Sequence, residues 1–170
     1  MLRRKSKLFC CFVDLRKAYD SVWREGLLIK LLRLGIGGKF YNVVKHMYCT
    51  TVGSVKLKDG TTPTFPINVG IKQGDNLSPT LFNIFIDDVG QCVADKPEEA
   101  VTLNNVSIPS LLYADDLVLI SKSSTNMQRS VDKLEEYCSR WKLCVNIDKT
   151  KILVFGQKHK SEGRVYLRSK

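Results

Sequence analysis

Leu111-Leu112-Tyr113-Ala114-Asp115-Asp116-Leu117-Val118-Leu119-Ile120 sets two adjacent carboxylates between two apolar, β-prone runs. Such runs form strands with at least one buried face, so Ala114-Asp115-Asp116 is expected to be a tight hairpin turn. Neighbouring like charges repel, and carboxylates beside apolar strands are poorly hydrated, so something has to offset their cost. A bound divalent cation would do so. A plain surface turn, where Asp is favoured for local hydrogen bonding, needs no cation at all. The rest of the chain has to decide between them.

Leu8-Phe9-Cys10-Cys11-Phe12-Val13 is a continuous apolar run ending in Asp14. It predicts a strand covered on both faces that delivers a carboxylate at its C-terminal end. Asp20 or Ser21 can cap the helix that follows, with Trp23, Leu27, Leu28, Leu31 and Leu32 at helical spacing and Gly35 as its stop. A second amphipathic helix is expected over 39–48, with Phe40, Val43, Val44 and Met47 on its apolar face. Weaker strands at 52–57 and 64–69 flank an Asp59-Gly60 hairpin signal. The glycine-punctuated loop 70–76 then leads to Ser78 as N-cap and Pro79 as first helical residue. The helix carrying Leu81, Phe82, Ile84, Phe85, Ile86 and Val89 is apolar almost all round. Strands at 101–106 and 108–113 feed the hairpin. Thr125 and Gln128 read as a capping box, with Val131, Leu134, Cys138 and Trp141 on one helix face. Short strands at 143–147 and 151–155 follow, then a polar, basic tail from Gln157. Helices and antiparallel pairs in blocks make the fold class α+β, an antiparallel sheet with helices packed on one face.

Charge narrows the partners. In 170 residues, 27 Lys+Arg against 17 Asp+Glu give a net charge of +10. That favours a polyanion, and nucleic acid over membrane, because no basic amphipathic helix stands out. No segment is long enough to span a bilayer, and no signal peptide is recognisable. The six cysteines include no C-x-x-C pair and no zinc spacing, which points to a reducing compartment, nuclear or cytoplasmic.

Asp14 and Asp115 each stand at the end of an apolar strand. If those strands are neighbours, Asp14, Asp115 and Asp116 converge on one point. Carboxylate ligands without His or Cys favour a hard ion, Mg²⁺ or Mn²⁺. Two such ions about 3.5–4 Å apart are a common device for in-line phosphoryl transfer.

Three stretches carry a family resemblance. Phe12-Val13-Asp14-Leu15-Arg16-Lys17-Ala18-Tyr19-Asp20, Gly70-Ile71-Lys72-Gln73-Gly74-Asp75-Asn76-Leu77-Ser78-Pro79 and Tyr113-Ala114-Asp115-Asp116 resemble reverse transcriptase palm motifs A, B and C, in order. Residues 140–150 resemble motif D. The forms F-x-D-x-x-x-A-[FY]-D and G-I-x-Q-G-D are closest to non-LTR (LINE-type) retrotransposon enzymes, RNA-directed DNA polymerases. The resemblance implies a palm domain over 1–156 with a basic tail at 157–170. It implies Asp14 and Asp115 as metal ligands, Asp116 completing the cluster, and the Leu15 carbonyl helping to hold the nucleotide-side ion. Asp115 and Asp116, adjacent along a strand, are expected to be unequal. Tyr19 stands where the family places the aromatic that blocks a ribose 2′-OH; a packed tyrosine is the plain alternative. Gln73 and Gly74 match the loop that approaches nucleotide and template, and Lys149 the lysine proposed to protonate leaving pyrophosphate. Asn76 replaces a common proline, which would leave that loop looser.

The partners implied are an RNA template, a DNA primer and dNTPs, with two Mg²⁺ as cofactor. With thirteen residues before Asp14 and an end soon after the fourth motif, fingers and thumb of the parent polyprotein are expected to be largely missing. A fragment of this kind is expected to be inactive alone. The alternative is a catalytically silent remnant that keeps only nucleic-acid affinity.

Overall fold

The structure is a computed structural model and describes residues 7–94 and 101–156. In chain order it runs β1 (Leu8–Val13), α1 (Arg24–Arg33), α2 (Gly38–Cys49), β2 (Val52–Gly53), β3 (Lys56–Leu57), β4 (Gly60–Thr61), β5 (Phe65–Pro66), α3 (Ser78–Ile86), α4 (Val89–Val93), β6 (Val101–Leu103), β7 (Val106–Ile108), β8 (Ser110–Tyr113), β9 (Asp116–Ser121), α5 (Ser124–Trp141) and β10 (Lys151–Phe155). Helices mixed with antiparallel sheet are the α+β class the sequence predicts. The described residues form two compact units, 7–18 with 87–94 and 101–156, and 19–86. The tail from Gln157 lies outside the described residues.

The first unit is built on a four-stranded antiparallel sheet in the order β10-β1-β9-β8. Alternation decides its faces. Phe9, Cys11 and Val13 of β1 are buried, as are Leu117 and Leu119 of β9, and Cys11 pairs with Leu119. Helix α5 covers β1 and β9 with Val131, Leu134, Cys138 and Trp141, the expected stripe, joined by Met127 and Tyr137. Burying each large apolar side chain contributes about 1.5–3 kcal/mol. Helix α4 packs against α5 and β8, and Tyr137 latches it by donating to Asp88 Oδ1 at 2.7 Å.

Several local expectations for this unit need correction. The expected cover on both faces of β1 is partial: alternation puts Cys10 and Phe12 on the face opposite Phe9, Cys11 and Val13, and there Cys10 is buried but Phe12 is 43% exposed. Thr125 is not the N-cap of α5; Ser123 is, its Oγ accepting from the Asn126 N–H at 3.2 Å. Gln128 Nε2 donates to Asp132 Oδ1 at 2.9 Å instead of closing a box. The run 101–106 is not one strand but part of a hairpin, since Asn104 and Asn105 take φ of 49° and 64°, the pair of left-handed residues a two-residue turn requires. The helix expected through Val89 breaks at Asp87-Asp88 into α3 and α4. Residues 143–147 form no strand; Val145 makes a single bridge, to Leu15.

All six cysteines are free. Cys10, Cys11 and Cys138 are buried, whereas Cys49, Cys92 and Cys144 are exposed, so only half of them serve as core hydrophobes. Burial pushes the thiols of Cys11 and Cys138 up from an ordinary 9.0 to about 12, with neighbouring Cys10 and Cys144 adding to the effect. The unfolded chain therefore loses these protons first as pH rises. Their contribution to stability is complete below pH 9 and drains away between pH 9 and 12. Each thiol costs about 1.4 kcal/mol for every pH step of one crossed in that window. The urea midpoint should fall steadily from about pH 9 to about pH 11 and fall less in Cys11→Ala. A midpoint level across that range would contradict this.

In the second unit α1 buries Leu27 and Leu31 as its spacing predicts, leaves the expected Leu32 exposed, and also buries Arg24 and Lys30. Both cations are satisfied by backbone oxygens. Arg24 donates to the carbonyls of Gly70 at 2.7 Å, Tyr48 at 2.9 Å and Ile67, and lies over the Tyr48 ring. Lys30 donates to the Phe85 carbonyl and sits over its ring. Gly35, at φ 75°, ends the helix: its N–H reaches Leu32 and that of Ile36 reaches Leu31, the paired bonds of a Schellman stop. Neither Asp20 nor Ser21 caps α1, whose N-cap is Trp23 without a side-chain bond. On α2 the buried residues are Val44 and Tyr48, and the expected Phe40 and Val43 are exposed. The strands expected at 52–57 and 64–69 are reduced to two-residue pairs, β2 with β5 and β3 with β4. Among the described residues no helix is long and apolar enough to cross a membrane.

Candidate functional site

Asp14 follows directly on β1, and residues 144–150 hold it there. Asn146 Nδ2 donates to Asp14 Oδ2 at 2.9 Å, and the Asn146 N–H donates to the Asp14 carbonyl at 2.7 Å. The Asp14 N–H donates to Thr150 Oγ1 at 3.2 Å, and the Thr150 N–H closes the loop onto the Asn146 carbonyl at 2.9 Å. Thr150 is buried. Asp14 is thus clipped by two side chains and by backbone on both sides, with one carboxylate oxygen assigned. Neither partner stood out in the sequence, because the pairing spans 132 and 136 residues. The only local signal was that both flank Ile147-Asp148-Lys149.

The bridge between Leu15 and Val145 is made by its flanks, the Arg16 N–H to the Cys144 carbonyl and the Asn146 N–H to the Asp14 carbonyl. The Leu15 carbonyl takes no part in it. Lys149 is exposed in the turn between Asn146 and Thr150, so the clip on Asp14 also fixes where that lysine starts. Arg16 and Asp148 approach at 4.0 Å, an exposed pair of little energetic weight.

The hairpin is as tight as the sequence predicts. Tyr113 pairs with Asp116, leaving Ala114 and Asp115 as the two turn residues. Ala114 takes φ 52°, a left-handed conformation that costs a non-glycine residue about 1 kcal/mol. The expectation of poorly hydrated carboxylates is not met: Asp115 and Asp116 are exposed, and so is most of β8, with Tyr113 at 83%. β8 is an edge strand of the sheet, which leaves its flank open. Among the described residues neither carboxylate has a hydrogen-bond or ion-pair partner.

β1 and β9 are neighbours. Their ladder ends at Val13 paired with Leu117, so Asp14, next after β1, and Asp116, next before Leu117, both lie at that end of the ladder. Among the described residues, no group of three or more His, Cys, Asp or Glu side chains is drawn close enough to hold a metal ion. The expected donors, carboxylate oxygens with the Leu15 carbonyl, would suit a hard dication such as Mg²⁺.

Tyr19, Gln73 and Gly74 belong to the second unit. The Tyr19 ring stacks on Phe82 of α3, with centroids 4.8 Å apart and planes at 16°, so it is at once packed and half-exposed. Gln73 Nε2 donates to Asp20 Oδ1 at 2.8 Å. Gly74 takes φ 82° with open space where a Cβ would stand; its glycine is required by the backbone. Gly70 is the tighter case: an added Cβ would lie 2.6 Å from the Asp20 carbonyl oxygen. Despite Asn76, the loop is held. Leu77 N–H donates to Asp75 Oδ1 at 2.9 Å, and the Ser78 N–H to the Asp75 carbonyl. Ser78 is the first residue of α3 rather than its cap; its hydroxyl donates back to the Lys72 carbonyl. Sequence reading missed Asp20 and Gly70 as partners because the signal lies in close approach, not in spacing.

Known proteins resemble this chain in both sequence and fold. The family model described as "Reverse transcriptase (RNA-dependent DNA polymerase)" matches residues 1–167. Over 153 residues the chain is 29% identical to the RNA-directed DNA polymerase from mobile element jockey of Drosophila melanogaster, covering 86% of this chain and 16% of that protein. Over 109 residues it is 34% identical to a Pol polyprotein from a type-1 retrotransposable element R2 of Popillia japonica, covering 64% and 15%. Among solved structures, apo telomerase from Candida tropicalis truncated from its C-terminal domain superposes with TM-score 0.65 at 18% identity, over 92% of this chain and 32% of that one. The chain therefore spans about a sixth of the curated relatives it matches, and the telomerase likeness is one of fold.

Proposed function

The chain belongs to the reverse transcriptase (RNA-dependent DNA polymerase) family, and from that membership we propose that it is the palm of a LINE-type element's RNA-directed DNA polymerase. The palm in this reading is 1–156 and the basic tail 157–170. The partners are an RNA template, a DNA primer and dNTPs. The primer 3′-OH attacks the α-phosphorus of the dNTP, a new phosphodiester bond forms, and the bond to pyrophosphate breaks. Asp14 and Asp115 would hold two Mg²⁺, with Mn²⁺ as a substitute, Asp116 completing the acidic cluster and the Leu15 carbonyl assisting. When bound, such ions supply positive charge beside the attacking and leaving oxygens.

This chain's own residues do the positioning. Asn146 and Thr150 hold Asp14, and the Ala114 turn carries Asp115 at its tip. Lys149 supplies a proton to departing pyrophosphate. Gln73 and Gly74 meet the incoming nucleotide. The observation that carries the reading is that β1 and β9 are neighbours, so the strands bearing the two aspartate motifs end at one edge of one sheet. A net charge of +10 fits a nucleic-acid partner held in a salt-dependent way. Six free cysteines fit a nuclear or cytoplasmic setting.

The test is primer extension by the full-length polymerase on an RNA template with Mg²⁺ and dNTPs. Templated extension is expected. Salt-sensitive binding of the primer–template without extension would leave a nucleic-acid-binding remnant instead. The sugar gate has its own test. Tyr19→Ala should lower the preference for dNTP over rNTP about tenfold or more, since one oxygen distinguishes the substrates. Unchanged discrimination would leave Tyr19 as the packed partner of Phe82.

A further inference from the structure

We infer that Asp20 is a positioning residue that fixes the amide of Gln73 in one orientation for nucleotide recognition, an inference that rests on the polymerase reading above. Gln73 is exposed on a loop, and a long amide side chain there would sample many rotamers and both amide flips. Its Nε2 instead donates to Asp20 Oδ1 at 2.8 Å. A carboxylate only accepts, so the amide oxygen cannot take that place. The flip is set, and Oε1 is turned away from Asp20.

The backbone beneath is fixed as well. The Gly70 N–H donates to the Val22 carbonyl and the Ile71 N–H to the Tyr19 carbonyl, both at 2.9 Å. These two bonds bracket Asp20. Gly70 lies so close that any Cβ would strike the Asp20 carbonyl, and Arg24 Nε holds the Gly70 carbonyl at 2.7 Å. The loop therefore cannot slide along 19–22, and the Asp20 carboxylate has a fixed base from which to reach Gln73. Asp20 has no competing duty as a helix cap, since α1 is capped at Trp23 without a side chain. Consecutive residues thus order two recognition side chains: Tyr19 through its stack on Phe82, and Gln73 through Asp20.

The experiment is single-nucleotide incorporation by the full-length polymerase, with kcat and KM for dNTP measured separately. Asp20→Ala should raise KM about tenfold, the size of one lost charge-assisted hydrogen bond, with kcat nearly unchanged. Gln73→Ala, which removes the nucleotide contact itself, should raise KM at least as much, and the double variant should be no worse than Gln73→Ala alone, because Asp20 acts only through Gln73. Asp20→Asn, which keeps an acceptor oxygen, should restore KM to near the parent value. Both residues are exposed, so melting temperatures should agree within a few degrees, and a general loosening of structure would not give this KM-only, non-additive and rescuable pattern. An unchanged KM in Asp20→Ala, singles whose effects multiply, or no rescue by Asp20→Asn would each overturn the role. A parent enzyme that incorporates nothing would overturn the polymerase reading itself; an active parent with an indifferent Asp20 overturns only this inference.

Discussion

Replacing Asp115 with asparagine in the full-length polymerase is expected to slow nucleotide incorporation about 10³-fold or more, equivalent to about 4 kcal/mol of transition-state stabilisation. Asparagine keeps the size of the side chain and tolerates the turn, so the loss would be one of charge, not of fold. Asp115 is a turn residue with no protein partner among the described residues, which leaves its oxygens for a ligand. Asp116 differs. It opens β9 and is paired with Tyr113, so its direction is set by the strand, and Asp116→Asn is expected to cost only about 10–100-fold, as for a residue completing an acidic cluster. Single-turnover rates for the two variants decide the matter. A loss under about tenfold for Asp115→Asn, or equal losses for both, would contradict the assignment.

Arg24→Ala should be among the most damaging single changes to stability in residues 19–86, by about 3–5 kcal/mol. The guanidinium is buried and donates to three carbonyls from two separate segments, Tyr48 at the end of α2 and Ile67 and Gly70 before the loop. Truncation would leave those buried acceptors unpaired, at about 1–3 kcal/mol each before water enters. It would also remove the stack over Tyr48. Burial already pulls the Arg24 pKa down, against attraction from Tyr48 and Glu25, as expected of a cation neutralised mainly by dipoles. Lysine would not substitute, since one point donor cannot serve the directions a planar fork reaches. Urea unfolding of the two variants measures this. Arg24→Ala within about 1 kcal/mol of the parent would show that the carbonyls find other partners.

What could be read from the sequence, and what could not, divides along the range of the interaction. The stripe of α5, the stop at Gly35, strand β10 and the hairpin around Asp115 are set by residues within a few positions of each other, and all four appear as expected. Choices among equivalent local signals failed. Ser123, Ser124 and Thr125 all offer caps, and the first is the one whose side chain accepts from the Asn126 N–H. Asn104-Asn105 is a turn pair, yet it sits in a β-prone run that masks it. Long-range polar pairing left no trace. Arg24 and Lys30 look like solvated charges on a helix until distant carbonyls are seen to receive them. Asn146 and Thr150 look like ordinary turn residues until they close on Asp14. Strand ends and adjacency mark the candidate aspartates in the sequence. Nothing there marks Asn146 and Thr150 as partners of Asp14, because hydrogen bonds between such distant parts of the chain have no period.

Whether Asp14, clipped beside the β1–β9 ladder, serves an RNA-templated polymerase is decided by single-nucleotide incorporation on an RNA template, comparing the full-length enzyme with its Asp14→Asn variant. The parent should add the complementary dNTP, and the variant should do so at a rate at least about 10³-fold lower, on the scale of a lost metal-binding carboxylate. Equal incorporation by the two enzymes would contradict that role.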